Sequence, residues 1–435
     1  MIFYKARHPE TGNMWDTWAF CHEGAYHMYY LANSGDKGWD NISMASSTDG
    51  VYWQERGPIL KRRAKSIWMG TGSAWKSPRF EQDGRFLMNF SAAEGATRRQ
   101  TIFFAESHDL VHWTRLGDEC EFEQDTRWYE PEGRWDCIFT VPDPNGGLYG
   151  YWTATPKEGG LFGFGRSEDG LKWESLPPPA VEGAPALGEV GGVAVFAGKY
   201  YMMYGTGGSY LMLSLIADRP GGPFRAAGKN FNLLGGHTYF CRFFTAPEGT
   251  LVNHHAMARD GQVYGAPFKR AHVDAEGTLR LLWWPGNEKL KHTPVPLAAS
   301  RPGQGLVSMI EPALDVTAGV VLDGVLTLPP SAEEPLAGVY IECAGSESVA
   351  ICGASDGTAR TGAIRPDGSD FRPDKHVARD IRLPDRAAFR LLIEHSLVEF
   401  YLDDVLMDSY SLPSAATGRI GFLGQADNVH AWRTK

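Results

Sequence analysis

Three segments spaced 60 residues apart constrain this chain more than any other feature: "SSTDGVYW" ends at Trp53, "ESHDLVHW" at Trp113 and "RSEDGLKW" at Trp173. Each joins a serine to a nearby acid, a turn and a tryptophan, and a weaker copy, "LIADRPGGPF", ends at Phe224. A hairpin precedes every copy: "WAFCHEGAYHMYYLA", "SPRFEQDGRFLMNFSA", "CIFTVPDPNGGLYGYWTA" and "GGVAVFAGKYYMMYGT". A fifth, "HHAMARDGQVYGAPFKR", begins near His254. The loops carry the Gly and Asp that tight hairpin turns require. Five such meanders predict an all-β fold, a five-bladed β-propeller over residues 1–295, with the repeated segment turning between the third and fourth strands of each blade.

Past about residue 305 the pattern changes. "PSAEEPLAGVYIECAG", "FRLLIEHSLVEFYLDDVLMDSYSL" and "GRIGFLGQADNVHAWRTK" alternate as strands without the acid–Trp turn. They predict a β-sandwich over 305–435, reached through the Pro- and Gly-bearing linker "KHTPVPLAASRPGQG".

In a propeller, residues just before the innermost strands meet in one pocket although far apart in sequence. Carboxylates at those positions are Asp16, Asp136 (with Glu130 and Glu132 upstream) and Glu189; the second blade offers Thr71 and Ser73, the fifth Asn253, His254 and His255. Acids from separate blades around one cavity suit glycoside hydrolysis, which needs one carboxyl to protonate the leaving oxygen and another to attack or to activate water. Trp15, Trp18, Trp39 and Trp75 are candidate walls for a sugar ring, and Arg134 a candidate to orient Asp136.

Composition narrows the partners. The net charge is −10 and the one basic cluster, "KRRAK" at 61–65, reads as a solvated loop, so no nucleic-acid partner is expected. No run of apolar residues is long enough to span a membrane, and no membrane partner is expected. The N-terminus carries no signal-peptide core and the six cysteines show no metal-like spacing, which predicts a cytoplasmic protein with reduced thiols. Cys343 and Cys352 are the only close pair, placed to face each other across a hairpin if they meet at all. No cofactor or metal site is expected, and nothing sets an oligomeric state.

Taken together the chain resembles glycoside hydrolase family 32, the β-fructofuranosidases. "NMWDTW" stands where that family carries its nucleophile, "GTGSA" matches a small-residue motif in the second blade, and "RWDCIF" approximates Arg-Asp-Pro. "GEVGG" stands for the acid/base motif and "LLIEHSLVEFYLDD" is very similar to the sandwich signature. The resemblance implies a retaining mechanism in which Asp16 is the nucleophile, Glu189 the acid/base and Asp136 the transition-state stabiliser. It implies substrate contacts from Trp15, Trp18, Trp39, Ser73, Trp75 and Arg134, and a small furanoside oligosaccharide as partner. The motifs diverge: Thr17 follows Asp16, Trp135 separates Arg134 from Asp136, Cys137 replaces a proline, and Val190 follows Glu189. The sugar is therefore left open. Three other readings fit the same residues: an inverting arabinofuranosidase-type propeller with a calcium ion near His237, His254 and His255; a transferase; and a carbohydrate-binding propeller without catalysis.

Overall fold

The computed structural model describes all residues except 36–37, 95–98, 185–187, 207–210, 237, 303–305 and 334. It is built almost wholly from antiparallel strands; the one α-helical element among the described residues is the single turn Phe80–Asp83. Among the described residues no helix is long and apolar enough to cross a membrane. The chain divides into two compact units: one comprises Lys5–Leu233 and Tyr239–His255, the other Met1–Tyr4, Leu234–Thr238 and Ala256–Lys435.

The first unit holds four successive meander sheets. Their leading strands are Asn13–His22, Ser66–Lys76, Trp135–Pro142 and Gly188–Phe196, each hydrogen-bonded to the strand that follows it. A hairpin led by Thr238–Ala246 follows the fourth sheet.

The repeated segment is the turn into the last strand of a sheet. In the second sheet the Ser107 hydroxyl accepts the Leu110 amide at 2.9 Å, while Asp109 accepts the Val111 and His112 amides at 2.9 and 2.7 Å. Ser47 with Asp49 and Ser167 with Asp169 make the same bonds in the first and third sheets. Short polar side chains are selected there because they satisfy amides that a tight turn strips of backbone partners.

The tryptophans that end the second and third repeats have a different task. Trp113 packs edge-on against Tyr29 of the first sheet at 5.9 Å, and Trp173 against Trp75 of the second at 6.2 Å. Each therefore fastens its own sheet to the one before. Three cores follow from this stacking. Tyr29, Met44, Met88 and Phe90 fill the space between the first two sheets, and Leu87, Phe104, Trp135 and Trp152 that between the second and third. Phe139, Tyr151, Met202 and Tyr204 join the third to the fourth.

In the other unit two antiparallel sheets share one core, with Leu322, Leu391 and Phe400 from one and Val339, Ile351 and Phe422 from the other. The strands Lys269–Val273 and Leu279–Trp283 are grouped with this unit. Strand register sets Cys352 opposite Gly338, so Cys343 and Cys352 do not face each other. None of the six cysteines is in a disulfide.

Candidate active site

The leading strands of the four sheets share an irregularity. Pairing slips in the first between Trp15 and Thr17, in the second between Met69 and Gly72, in the third at Cys137, and in the fourth between Val190 and Gly192. An extra residue in one strand bends it and turns neighbouring side chains out of the regular alternation. In the first strand the extra residue is Asp16 itself, at φ 42°, a left-handed conformation that Asp tolerates better than most residues. In the third it is Cys137, at φ 30°, directly after Asp136. In the fourth, Gly191 follows two residues after Glu189, and a Cβ there would stand 2.5 Å from the Cys241 carbonyl oxygen. That close approach explains the glycine.

The bulges bring the acids to one place. A single nitrogen of Arg134, Nη2, donates to Asp136 Oδ2 at 3.2 Å and to Glu189 Oε1 at 2.6 Å. Two carboxylates on one nitrogen lie within roughly a sugar ring's width of each other. Asp136 is buried, and its other oxygen accepts the Ser91 hydroxyl of the second sheet. Asp16 Oδ2 accepts the Thr71 hydroxyl at 2.5 Å, with Arg242 Nη2 at 3.9 Å; Nδ1 of His255 stands 4.0 Å from Oδ1.

Burial is the largest influence on both aspartates. It pushes the Asp16 carboxyl up to about 6, helped by the charges of Glu189 and Asp136 and opposed by Arg242 and the Thr71 bond. It also raises Asp136, against the pull of Arg134 and Ser91. Arg134 is held charged by the two acids despite its own burial cost. Burial, with Arg242 and His254 nearby, depresses His255 well below its ordinary value, so this imidazole is neutral. The Cys137 thiol is likewise kept neutral by burial.

Trp15 and Trp39 stack at 6.2 Å, and Trp15 also rests on the His255 ring at 4.7 Å, giving the acids an aromatic flank. Trp18, Trp75 and Ser73 make no recorded bond to the acids and instead line a cavity of about 730 Å³. Trp18 and Trp75 are buried in the cores between sheets. The Ser73 hydroxyl donates to the Ile138 carbonyl and accepts from Asn89 at 3.0 Å, tying the second sheet to the third. Glu130 and Glu132 make no contact with the three acids that the structure records. His254 is fully buried with Nδ1 against the His255 carbonyl at 3.1 Å. His237 lies outside the described residues, among which no group of three or more His, Cys, Asp or Glu side chains could hold a metal ion.

Sequence reasoning did not single out Ser91 or Arg242. Arg242 had a readable signal: it is the one charged residue in the otherwise apolar strand "TYFCRFFTA". Ser91 had none, because its role depends on which strand lies opposite.

No family model and no curated protein matches this chain. Solved structures do, along its full length. Fructan 1-exohydrolase IIa from Cichorium intybus is similar with a TM-score of 0.76 at 14% identity, over 100% of this chain and 97% of that one. A GH32 β-fructofuranosidase from Bombyx mori gives 0.73 at 14% identity, over 100% and 93%. Sucrose-6-phosphate hydrolase from Lactobacillus gasseri gives 0.72 at 16%, over 100% and 93%. Related structures of the first two are complexes with 1-kestose and with sucrose. At these identities the likeness is one of fold.

Proposed function

We propose that this chain is a retaining glycoside hydrolase acting on a short fructofuranoside or a closely related furanoside. The observation that carries the reading is the pair of hydrogen bonds from Arg134 to Asp136 and Glu189, beside a half-buried Asp16 from another sheet. A fold shared with enzymes solved in complex with sucrose and 1-kestose supports the substrate class.

The reading includes a ring of five blades over 1–295 ahead of the sandwich at 305–435. A cavity of about 730 Å³ supports it, because its wall takes Phe20, Trp75, Phe139, Val193 and Phe244, one from each of five successive leading strands.

In the proposed reaction the Asp16 carboxylate attacks the anomeric carbon as the bond to the leaving oxygen breaks, and Glu189 gives that oxygen its proton. An ester to Asp16 results. Glu189, now a carboxylate, takes a proton from water, whose oxygen displaces Asp16 and frees the sugar. Asp136 accepts hydrogen bonds from ring hydroxyls, which strengthen as positive charge develops at the anomeric carbon. Arg134 keeps Asp136 and Glu189 at a fixed separation throughout.

The test is a panel of natural and chromogenic furanosides with product configuration followed by NMR. Retention in the parent, with turnover lost in Asp16→Asn, is expected. Turnover within tenfold of the parent in that variant overturns Asp16 as nucleophile, and inverted product overturns the ester. Sugar binding in calorimetry with no turnover by the parent would identify a carbohydrate-binding protein instead.

A further inference from the structure

Arg242 is only 1% exposed, an unusual position for a guanidinium. Its face lies 4.2 Å from the Phe240 ring and 5.8 Å from that of Phe139, which together keep water away. Nη1 donates to the Thr17 carbonyl at 2.8 Å. Nε and Nη2 have no hydrogen-bond partner among the described residues, and Nη2 points to the nearest anion, Asp16 Oδ2, at 3.9 Å. A buried cation with two idle donors beside a half-buried carboxylate is costly unless the pair acts together.

The strand segment it grips is the one that bulges. Thr17 is buried, and Asn253 donates 2.9 Å bonds to both its carbonyl and its hydroxyl. Arg242 and Asn253 belong to the two strands of the last hairpin, so that hairpin clamps the residue immediately after Asp16. With φ at 42°, Asp16 has no regular strand pairing of its own to fix its direction. The clamp supplies it.

We infer that Arg242 is a positioning residue of this site: through Thr17 it fixes the aim of Asp16, and through Nη2 it favours the charged form of that carboxylate in surroundings that disfavour charge. The inference rests on the hydrolase reading for its catalytic consequence, while the coupling of Arg242 to Asp16 stands apart from it. The groups facing Asp16 are Arg242 and His255 from the hairpin, Thr71 from the second sheet, Asp136 from the third and Glu189 from the fourth. Arg242 is the one cation in that set, since the His255 imidazole is neutral.

The experiment is a pH titration of the Asp16 carboxyl by ¹³C NMR, beside kcat/KM profiles, in the parent, Arg242→Met and Arg242→Lys. Removing the charge should raise the Asp16 midpoint by roughly one to three pH units, and the acid limb of kcat/KM should move with it. Arg242→Met then loses at least about fivefold more activity at pH 6 than at pH 8. Arg242→Lys keeps the charge without the fork that reaches Thr17, so its midpoint moves less while kcat falls at every pH. An unmoved midpoint with an even loss of activity in Arg242→Met overturns the inference, and parent-like kcat in Arg242→Lys overturns the clamp. If Arg242→Met does not fold, the Arg242→Lys titration and rates decide. A parent with no furanosidase activity refutes the hydrolase reading alone, because the NMR titration still reports on Arg242.

Discussion

Asp16→Asn should make the protein more stable at neutral pH while abolishing turnover. The carboxyl titrates at about 6 in the folded chain against an ordinary value of 3.8. Across that window the native state retains a proton that the unfolded chain has released. The unfolded state thus binds fewer protons, and stability falls as pH rises from about 4 to about 6, then stays at the lower level. At about 1.4 kcal/mol per pH unit, the difference is about 3 kcal/mol withheld from the folded state at pH 7. An asparagine has the shape of the protonated acid, can still accept the Thr71 hydroxyl, and never ionises. Urea unfolding of parent and variant is the assay. The variant should be more stable by about 3 kcal/mol at pH 7.5, and the gap should shrink below about 1 kcal/mol at pH 4. Its turnover should drop by about a thousandfold or more, as expected for loss of a nucleophile. A variant equal to or weaker than the parent at pH 7.5, or a gap that does not change with pH, would refute the view that Asp16 is a carboxylate held against its solvation preference.

Glu189→Gln should depress kcat far more for a sugar leaving group than for an aryl one, since only the former needs a proton; equal losses on both would remove Glu189 as the acid. Arg134→Met frees Asp136 and Glu189 to repel each other and should lower kcat/KM by about a hundredfold; a loss below about threefold would show that the paired hydrogen bonds do not position them. Asp109→Ala removes the acceptor for two turn amides and should cost about 1–2 kcal/mol in urea unfolding, with activity per folded molecule retained. Trp113→Ala empties the contact with Tyr29 and should cost about 3–5 kcal/mol; a change under about 1 kcal/mol would deny that it fastens the second sheet to the first.

The repeat was legible because its chemistry is local. Ser107, Asp109 and Trp113 lie within seven residues of one another, and their turn has the same bonds wherever the motif recurs. The acids were legible for a similar reason, each standing at the start of a strand with an aromatic or glycine neighbour. The division of labour among the tryptophans was not. Trp15 and Trp18 are three positions apart, which regular alternation would set on opposite faces. The extra residue at Asp16 instead places them opposite Leu31 and Tyr29 on one face, with Trp18 in the core and Trp15 at its edge, stacked on Trp39. A bulge shifts the two-residue alternation by one, and nothing in "NMWDTWAF" announces where the shift falls. The same uncertainty separates Thr71, which bonds Asp16, from Ser73, which binds a backbone carbonyl two residues further on. Polar side chains in leading strands thus acquire their roles from bulge positions and from the sheet packed opposite, both of them long-range properties. The glycines after Glu189 are the partial exception. A Gly-Gly pair inside an apolar strand marks a place where two backbones meet, and here the backbone that arrives belongs to Cys241, next to Arg242. Read in that light, "GEVGG" and "FCRFF" are two sides of one contact, and the small residues beside one acid are what allow the buried cation beside another to reach its place.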